Sequence, residues 1–187
     1  AIEGYTTKGA WEMSDMLHLK AIELISKNLR DAVAEAKSGV PGSGREGMAL
    51  AQYIAGMGFS NVGLGVDHSM AHTLSAHFDT PHGVACAMLL PIAMEFNKPV
   101  VTERLAKVAV AMGVDTAGMS TDEAADAAIA AVKQLSVDVQ IPTVCEAITE
   151  DELDTLTKDA MADACFPGNP REATYDDVMG MFRQIMK

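Results

Sequence analysis

The spacing of apolar residues along nearly the whole chain restricts it to an all-helical fold. Between residues 10 and 37, apolar side chains recur every three or four positions, from Met13 through Ile22 to Val33, as on one face of an α-helix. Apolar residues, largely Ala and Met, make up 49% of the chain, whereas aromatic residues make up only 5%. This composition favours closely packed helices, and no segment shows the alternation typical of a strand. We therefore predict a bundle of about eight or nine helices.

Capping signals predict where several of these helices begin. Three segments fit the capping box, in which a Ser or Thr caps the helix and a Glu three residues later returns the hydrogen bond. These pairs are Ser43–Glu46, Ser120–Glu123 and Thr149–Glu152. They predict helices over 44–58, 121–136 and 150–164, and Thr174 predicts a last helix over 175–186. Because the helix over 44–58 is apolar almost all round, we expect it to be the buried central helix.

Glycines and prolines divide the middle of the chain. A helix is predicted over about 62–77, and Thr80 followed by Pro81 can start the next one. Pro91 should kink or break that helix. A shorter helix should follow from Pro99 to Met112, because Gly113 is a favourable residue just past a helix end.

The histidines are concentrated in one short segment. Four of the five, His68, His72, His77 and His82, lie within fifteen residues. His68 and His72 are four residues apart, so on a helix both rings leave the same face, and His82 begins the following helix. Imidazoles converging from two helices can bind a transition metal. Spacing alone leaves open the alternative of half-buried or solvated histidines, and the remaining histidine, His18, lies among apolar positions and is expected to be structural.

Charge and cysteine content exclude several classes of function. The chain has 14 basic and 26 acidic residues, a formal charge of −12, which argues against binding nucleic acid or an anionic membrane. Cys86, Cys145 and Cys165 are widely spaced and include no C-x-x-C pair, as expected for reduced thiols in a cytoplasmic protein. The segment GMGFSN lacks the third glycine of a dinucleotide-binding turn, and HSMAH lacks the Glu of the zinc-hydrolase motif H-E-x-x-H.

Two runs, GMGFSNVGLGVDHSMAH and FDTPHGVACAMLLP, resemble the metal-binding signature of the iron-containing (group III) alcohol dehydrogenases. The opening AIEGYTTKGAW and the closing GNPREAT are similar to the subgroup that holds lactaldehyde reductase and 1,3-propanediol dehydrogenase. The resemblance covers essentially the whole chain. It implies that residues 1–187 form a single all-helical metal-binding domain, like the C-terminal domain of the dehydroquinate synthase-like fold.

The same resemblance implies roles for individual residues. His68 and His82 match two metal ligands, and His72 matches a histidine near the metal and the nicotinamide that assists catalysis or cofactor placement. Phe59 matches the wall of the cofactor cleft, and His77 matches a variable position without a role. The implied cofactors are Fe(II), or Zn(II) in its place, and NAD(P).

The resemblance also implies parts that precede Ala1. Members of the family carry an N-terminal nucleotide-binding domain, and they also carry an Asp and a His that complete the metal site. We expect the domain and these two ligands to be missing here. We therefore expect this chain alone to be inactive and to bind metal weakly or not at all. The full-length enzyme would act on a small alcohol or aldehyde, of lactaldehyde or propanediol type, as a homo-oligomer. The alternative is a free-standing helical binding or interaction module without catalysis.

Overall fold

The computed structural model describes all 187 residues, as eight α-helices with no strand, so the predicted all-helical fold is confirmed. A single 3-10 turn, Phe166–Gly168, lies in the loop before the last helix. The helices are α1 (Ile2–Thr6), α2 (Glu12–Ser38), α3 (Gly44–Val62), α4 (Val66–Phe78), α5 (His82–Ala111), α6 (Thr121–Asp138), α7 (Leu153–Ala162) and α8 (Tyr175–Gln184).

Two buried apolar clusters hold these helices together. The first joins α4, the first half of α5, α7 and α8 around residues such as Leu74, Leu89 and Phe182. The second joins α1, α2, the second half of α5 and α6 around Tyr5 and Leu105. Helix α5 is long and apolar enough to cross a membrane by length and composition, but it contributes to both clusters, and 44% of its most apolar window is buried. It therefore serves as the central helix of the bundle.

The prediction that the third helix would be the buried central one is wrong. On α3 the large apolar residues Leu50 and Tyr53 are 52% and 63% exposed. The residues it buries are small, including Ala51, Ala55 and Gly58. The apolar character of a helix does not determine which of its faces packs against other helices. Here the small residues allow α2 to approach closely, and the bulky ones are left outside.

The capping predictions are confirmed for α6 and α8, where Ser120 and Thr174 accept hydrogen bonds from backbone N–H groups three residues later. The Ser43 cap is wrong, because its side chain makes no capping hydrogen bond. Instead the N–H groups of Gly44 and Arg45 donate to the Glu35 carboxylate of α2, at 2.7 and 3.0 Å. Thus a carboxylate on a neighbouring helix replaces the local cap.

The remaining differences concern boundaries. Helix α3 continues to Val62, and α4 begins only at Val66, because Gly63 has a φ of 78° and interrupts the helix. Helix α7 begins at Leu153, although Glu152 does contact Thr149 in the preceding turn. Helix α5 runs through Pro91 without a break. Its one non-helical residue is Val101, two residues after Pro99, where φ is −129° and ψ is 22°.

Candidate metal centre

Three of the histidine rings meet at the junction of α4 and α5. His68 and His72 lie one turn apart on α4, and His82 is the first residue of α5. The ring centroids of His68 and His82 are 5.5 Å apart, those of His72 and His82 are 5.4 Å apart, and those of His68 and His72 are 6.0 Å apart. The structure therefore brings together the three histidines that the sequence singled out.

Glu3 of α1 orients the first of these rings. Its Oε2 atom lies 2.6 Å from Nδ1 of His68, and the Glu3 side chain is only 5% exposed. The same carboxylate accepts hydrogen bonds from the backbone N–H groups of Asp67 (2.7 Å) and His68 (3.3 Å) at the start of α4. A carboxylate that holds Nδ1–H leaves the Nε2 lone pair free, which is the usual arrangement around metal-binding imidazoles.

A second side chain, Asn169, fixes the start of α4 from the opposite end of the chain. Its Oδ1 atom accepts from the Val66 N–H at 3.2 Å, and its amide pairs with that of Asn97 on α5. Gly65 lies between these groups. A Cβ atom there would lie 2.7 Å from Oδ1 of Asn169 and 3.0 Å from Oε1 of Glu3. The glycine therefore allows both caps to reach the helix.

Asp163, at the C-terminal end of α7, orients His72. Its Oδ2 atom lies 2.9 Å from Nδ1 of His72, and its Oδ1 atom accepts from the Cys165 N–H at 2.8 Å. Burial alone would raise the pKa of Asp163, but these hydrogen bonds lower it, so the group is a carboxylate. His72 is thus held like His68, with Nε2 free.

His82 has no carboxylate partner of this kind. Its nearest polar neighbour is Cys86, one turn further along α5, whose Sγ lies 3.6 Å from Nε2 and 3.9 Å from Nδ1. Partial burial, together with the neighbouring His68 and His72, lowers the pKa of His82. The ring is therefore neutral near pH 7 and able to bind a metal through its lone pair.

Two further groups near the cluster are shifted by burial. Asp67 is 3% exposed, and burial, with the charge of Glu3 beside it, raises its pKa well above the ordinary value. Burial likewise raises the pKa of the Cys86 thiol. Without a metal, the Cys86 thiol is therefore protonated at neutral pH.

The other predicted residues lie outside the ring cluster. Phe59 on α3 is half-buried beside α1, where its Cβ is 3.1 Å from the position of a Cβ built on Gly4. His77 forms a surface pair with Asp159, with 2.7 Å between Nε2 and Oδ2. His18 is fully buried, in contact with glycine backbone, as expected for a structural residue.

Sequence reasoning missed the residues that orient the histidines. Glu3 and Asn169 lie in the AIEGY and GNPRE segments, which indicated a family resemblance but no role for either residue. They lie 65 and 103 residues from the α4 residues that they contact. No local pattern marked Asp163, because an acidic residue at a helix end is common.

The donor chemistry of this cluster fits a divalent transition metal. Imidazole nitrogens converge from two helices, and carboxylates on the far side of two rings fix their orientation. His68, His82 and Cys86 each offer a ligand atom, and these atoms lie within 4.8 Å of one another. The fold and the site together define an all-helical domain with a histidine-rich candidate metal centre.

Comparison with known proteins identifies the family. The profile of the Fe-containing alcohol dehydrogenase family, C-terminal, matches residues 1–186. The chain is 48% identical over 184 residues to lactaldehyde reductase of Escherichia coli K12, covering 97% of this chain and 47% of that protein. It is 39% identical over 186 residues to 1,3-propanediol dehydrogenase of Klebsiella pneumoniae, covering 98% of this chain and 47% of that protein.

A solved structure shows the same fold. The crystal structure of 1,3-propanediol oxidoreductase matches with a TM-score of 0.94 and 39% identity, over 98% of this chain and 48% of that one. The chain therefore belongs to the Fe-containing alcohol dehydrogenase family and corresponds to its C-terminal helical domain. It spans about half the length of the curated relatives that it matches.

Proposed function

We propose that residues 1–187 are the metal-binding helical domain of an NAD(P)-dependent, iron-containing alcohol dehydrogenase. The parent enzyme, a cytoplasmic homo-oligomer, interconverts a small alcohol or diol with its aldehyde. The observation that carries the proposal is the convergence of the His68, His72 and His82 rings, with Nδ1 of the first two held by buried or half-buried carboxylates.

His68 and His82 are metal ligands that this domain contributes. Fe(II) is the expected ion, and Zn(II) suits the same nitrogen donors. A divalent ion bound there would polarise an alcohol or carbonyl oxygen and make hydride exchange with a nicotinamide easier. Glu3 supports this role, because it fixes the His68 ring and the start of α4 in a single set of contacts.

His72 takes part in proton transfer or in placing the nicotinamide. Its Nδ1–H donates to the Asp163 carboxylate, so its Nε2 atom can accept the proton that leaves an alcohol, or return it to an aldehyde. Asp163 stabilises the imidazolium formed on the way. Phe59, half-buried beside α1, contributes to the wall of the cofactor cleft.

Substrate class follows from similarity. Relatives named lactaldehyde reductase and 1,3-propanediol dehydrogenase cover nearly all of this chain. We infer a short diol or 2-hydroxyaldehyde as substrate. The nucleotide-binding domain and the remaining two metal ligands belong to the other half of the parent, so the 187-residue chain alone should bind Fe(II) weakly and show no turnover.

A chimera tests this proposal. The nucleotide-binding half of E. coli lactaldehyde reductase, joined before Ala1, should restore Fe(II)-dependent reduction of lactaldehyde with NADH, measured as loss of NADH absorbance. His68→Ala and His82→Ala should each abolish that activity. The matched control, His77→Ala, removes a histidine of the same segment that lies outside the ring cluster, and it should leave the rate unchanged.

Two results would contradict the proposal. Turnover by the 187-residue chain without the added half would show that the site is complete as it stands. A folded chimera that is inactive with every small alcohol and aldehyde tried would favour the free-standing helical module instead.

A further inference from the structure

Cys86 lies within ligand distance of the histidine cluster. It is one helical turn beyond His82 on α5, so both side chains leave the same face of that helix. Its Sγ atom is 3.6 Å from Nε2 of His82, and one donor atom each from His68, His82 and Cys86 fall within 4.8 Å of one another. Neither other thiol takes this position, because Cys145 lies in the first apolar cluster and Cys165 lies beside Asp163 and His72.

This separation agrees with a shared metal ion. Tetrahedral zinc has Zn–S bonds of about 2.3 Å and Zn–N bonds of about 2.0–2.1 Å, which place sulfur and nitrogen ligands roughly 3.5 Å apart. A weak S–H···N hydrogen bond has a similar length. It would, however, engage only His82, whereas donor atoms of both His68 and His82 lie within 4.8 Å of a Cys86 donor atom.

We infer that Cys86 is a third metal ligand in this chain, and that a thiolate beside His68 and His82 raises the affinity of the proposed site for thiophilic ions such as Zn(II) relative to its affinity for Fe(II). The inference rests on the proposed metal site and adds a donor to it. On binding, the thiol proton is released to solvent and the thiolate sulfur bonds to the metal. Soft thiolate ligands favour zinc, whereas nitrogen and oxygen ligands alone suit Fe(II) equally well.

Titration of the lactaldehyde reductase chimera with Co(II), in a phosphine reductant that supplies no competing thiol, tests this inference, because the chimera supplies the metal ligands that the 187-residue chain is proposed to lack. Tetrahedral Co(II) absorbs in the visible region, and a Co–thiolate bond adds a charge-transfer band in the near ultraviolet. Wild type should show both. Cys86→Ser and Cys86→Ala should lose the near-ultraviolet band, and their Zn(II) affinity, from competition with a chromophoric chelator, should fall by at least about tenfold.

Cys165→Ser is the matched control. It removes a thiol on the other side of the cluster and should keep the charge-transfer band. Two Cys86 substitutions are compared, one polar and one apolar, and helical circular dichroism identifies any variant that does not fold.

The outcomes separate the inference from the function on which it rests. Visible Co(II) bands that depend on His82 but lack the near-ultraviolet band, or a band that disappears only in Cys165→Ser, would overturn the Cys86 assignment alone. No specific Co(II) spectrum at all, or one that His68→Ala and His82→Ala leave unchanged, would overturn the metal site itself.

Discussion

Protonation of the buried His18 should make this domain lose stability in mild acid. The His18 side chain is fully buried, and neither ring nitrogen has a hydrogen-bond partner. Cβ atoms built on Gly4 and Gly58 would each lie 2.4 Å from its Nε2 atom, so two glycines leave the room that the ring occupies. Burial, reinforced by the positive charges of the Ala1 amino group and Arg104 and opposed by the nearby Ser14 backbone, lowers the pKa of His18 from 6.5 to about 4.

The sign and size of the effect follow from this pKa. The unfolded chain takes up a proton near pH 6.5, but the folded chain does so only near pH 4. The stabilising contribution of neutral His18 is therefore present above pH 6.5 and is lost as the pH falls towards 4. At about 1.4 kcal/mol for each pH unit, the full loss is roughly 3 kcal/mol, of which about 2 kcal/mol has occurred by about pH 5.

Urea unfolding followed by circular dichroism measures this loss. The free energies of unfolding of wild type and His18→Leu are compared at about pH 7.5 and about pH 5. Subtracting the change in the variant from the change in wild type removes the contributions of other groups, including Asp67, whose pKa is shifted in the opposite direction. The free energy of unfolding of wild type should fall by about 2 kcal/mol more than that of the variant. Equal falls in the two proteins would show that His18 is hydrated or paired, and would refute the reasoning.

Two further substitutions, with one control, test the contacts at the start of α4. Glu3→Gln keeps the size of the side chain but removes the charge that holds Nδ1 of His68. The Co(II) affinity measured in the titration should therefore fall about 10- to 100-fold. An unchanged affinity would show that Glu3 does not orient the His68 ring. Gly65→Ala should cost about 1–3 kcal/mol in urea unfolding, because its Cβ meets Asn169 and Glu3. Gly56→Ala, within α3, is its control, because nothing lies within 4 Å of a Cβ built at that position. It should instead raise the free energy of unfolding by about 0.5–1 kcal/mol. Equal effects at both glycines would contradict the packing described.

Local sequence patterns predicted the helices well, because apolar periodicity and capping residues act over three or four positions. They predicted the caps at Ser120 and Thr174 correctly, because those caps lie within three residues of the groups they bind. They failed at Ser43 because the actual cap lies outside that range. The carboxylate that caps α3 is Glu35, on a different helix, and no local pattern includes it. The outward position of Leu50 was likewise unpredictable, because apolar character does not determine which side of a helix finds a partner.

The candidate site shows the same division. The spacing of His68 and His72 predicted a shared helix face, and the helix start at Thr80 and Pro81 placed His82 on the next helix. The resemblance to a family then implied a role for each ring. Their orientation depends on Glu3 and Asp163, which lie 65 and 91 residues away along the chain from the rings that they hold. Such contacts arise only from tertiary packing, so the sequence could supply the candidate metal ligands but not the network that orients them.

Anomalous diffraction from crystals of the chimera soaked in Co(II) tests the central claim most directly, because it locates the ion without reference to activity. We predict a peak at the junction of α4 and α5, about 2.0–2.1 Å from a ring nitrogen of both His68 and His82. A peak at the His77–Asp159 surface pair instead, or none at the histidine cluster under saturating Co(II), would contradict the assignment of this cluster as the metal centre.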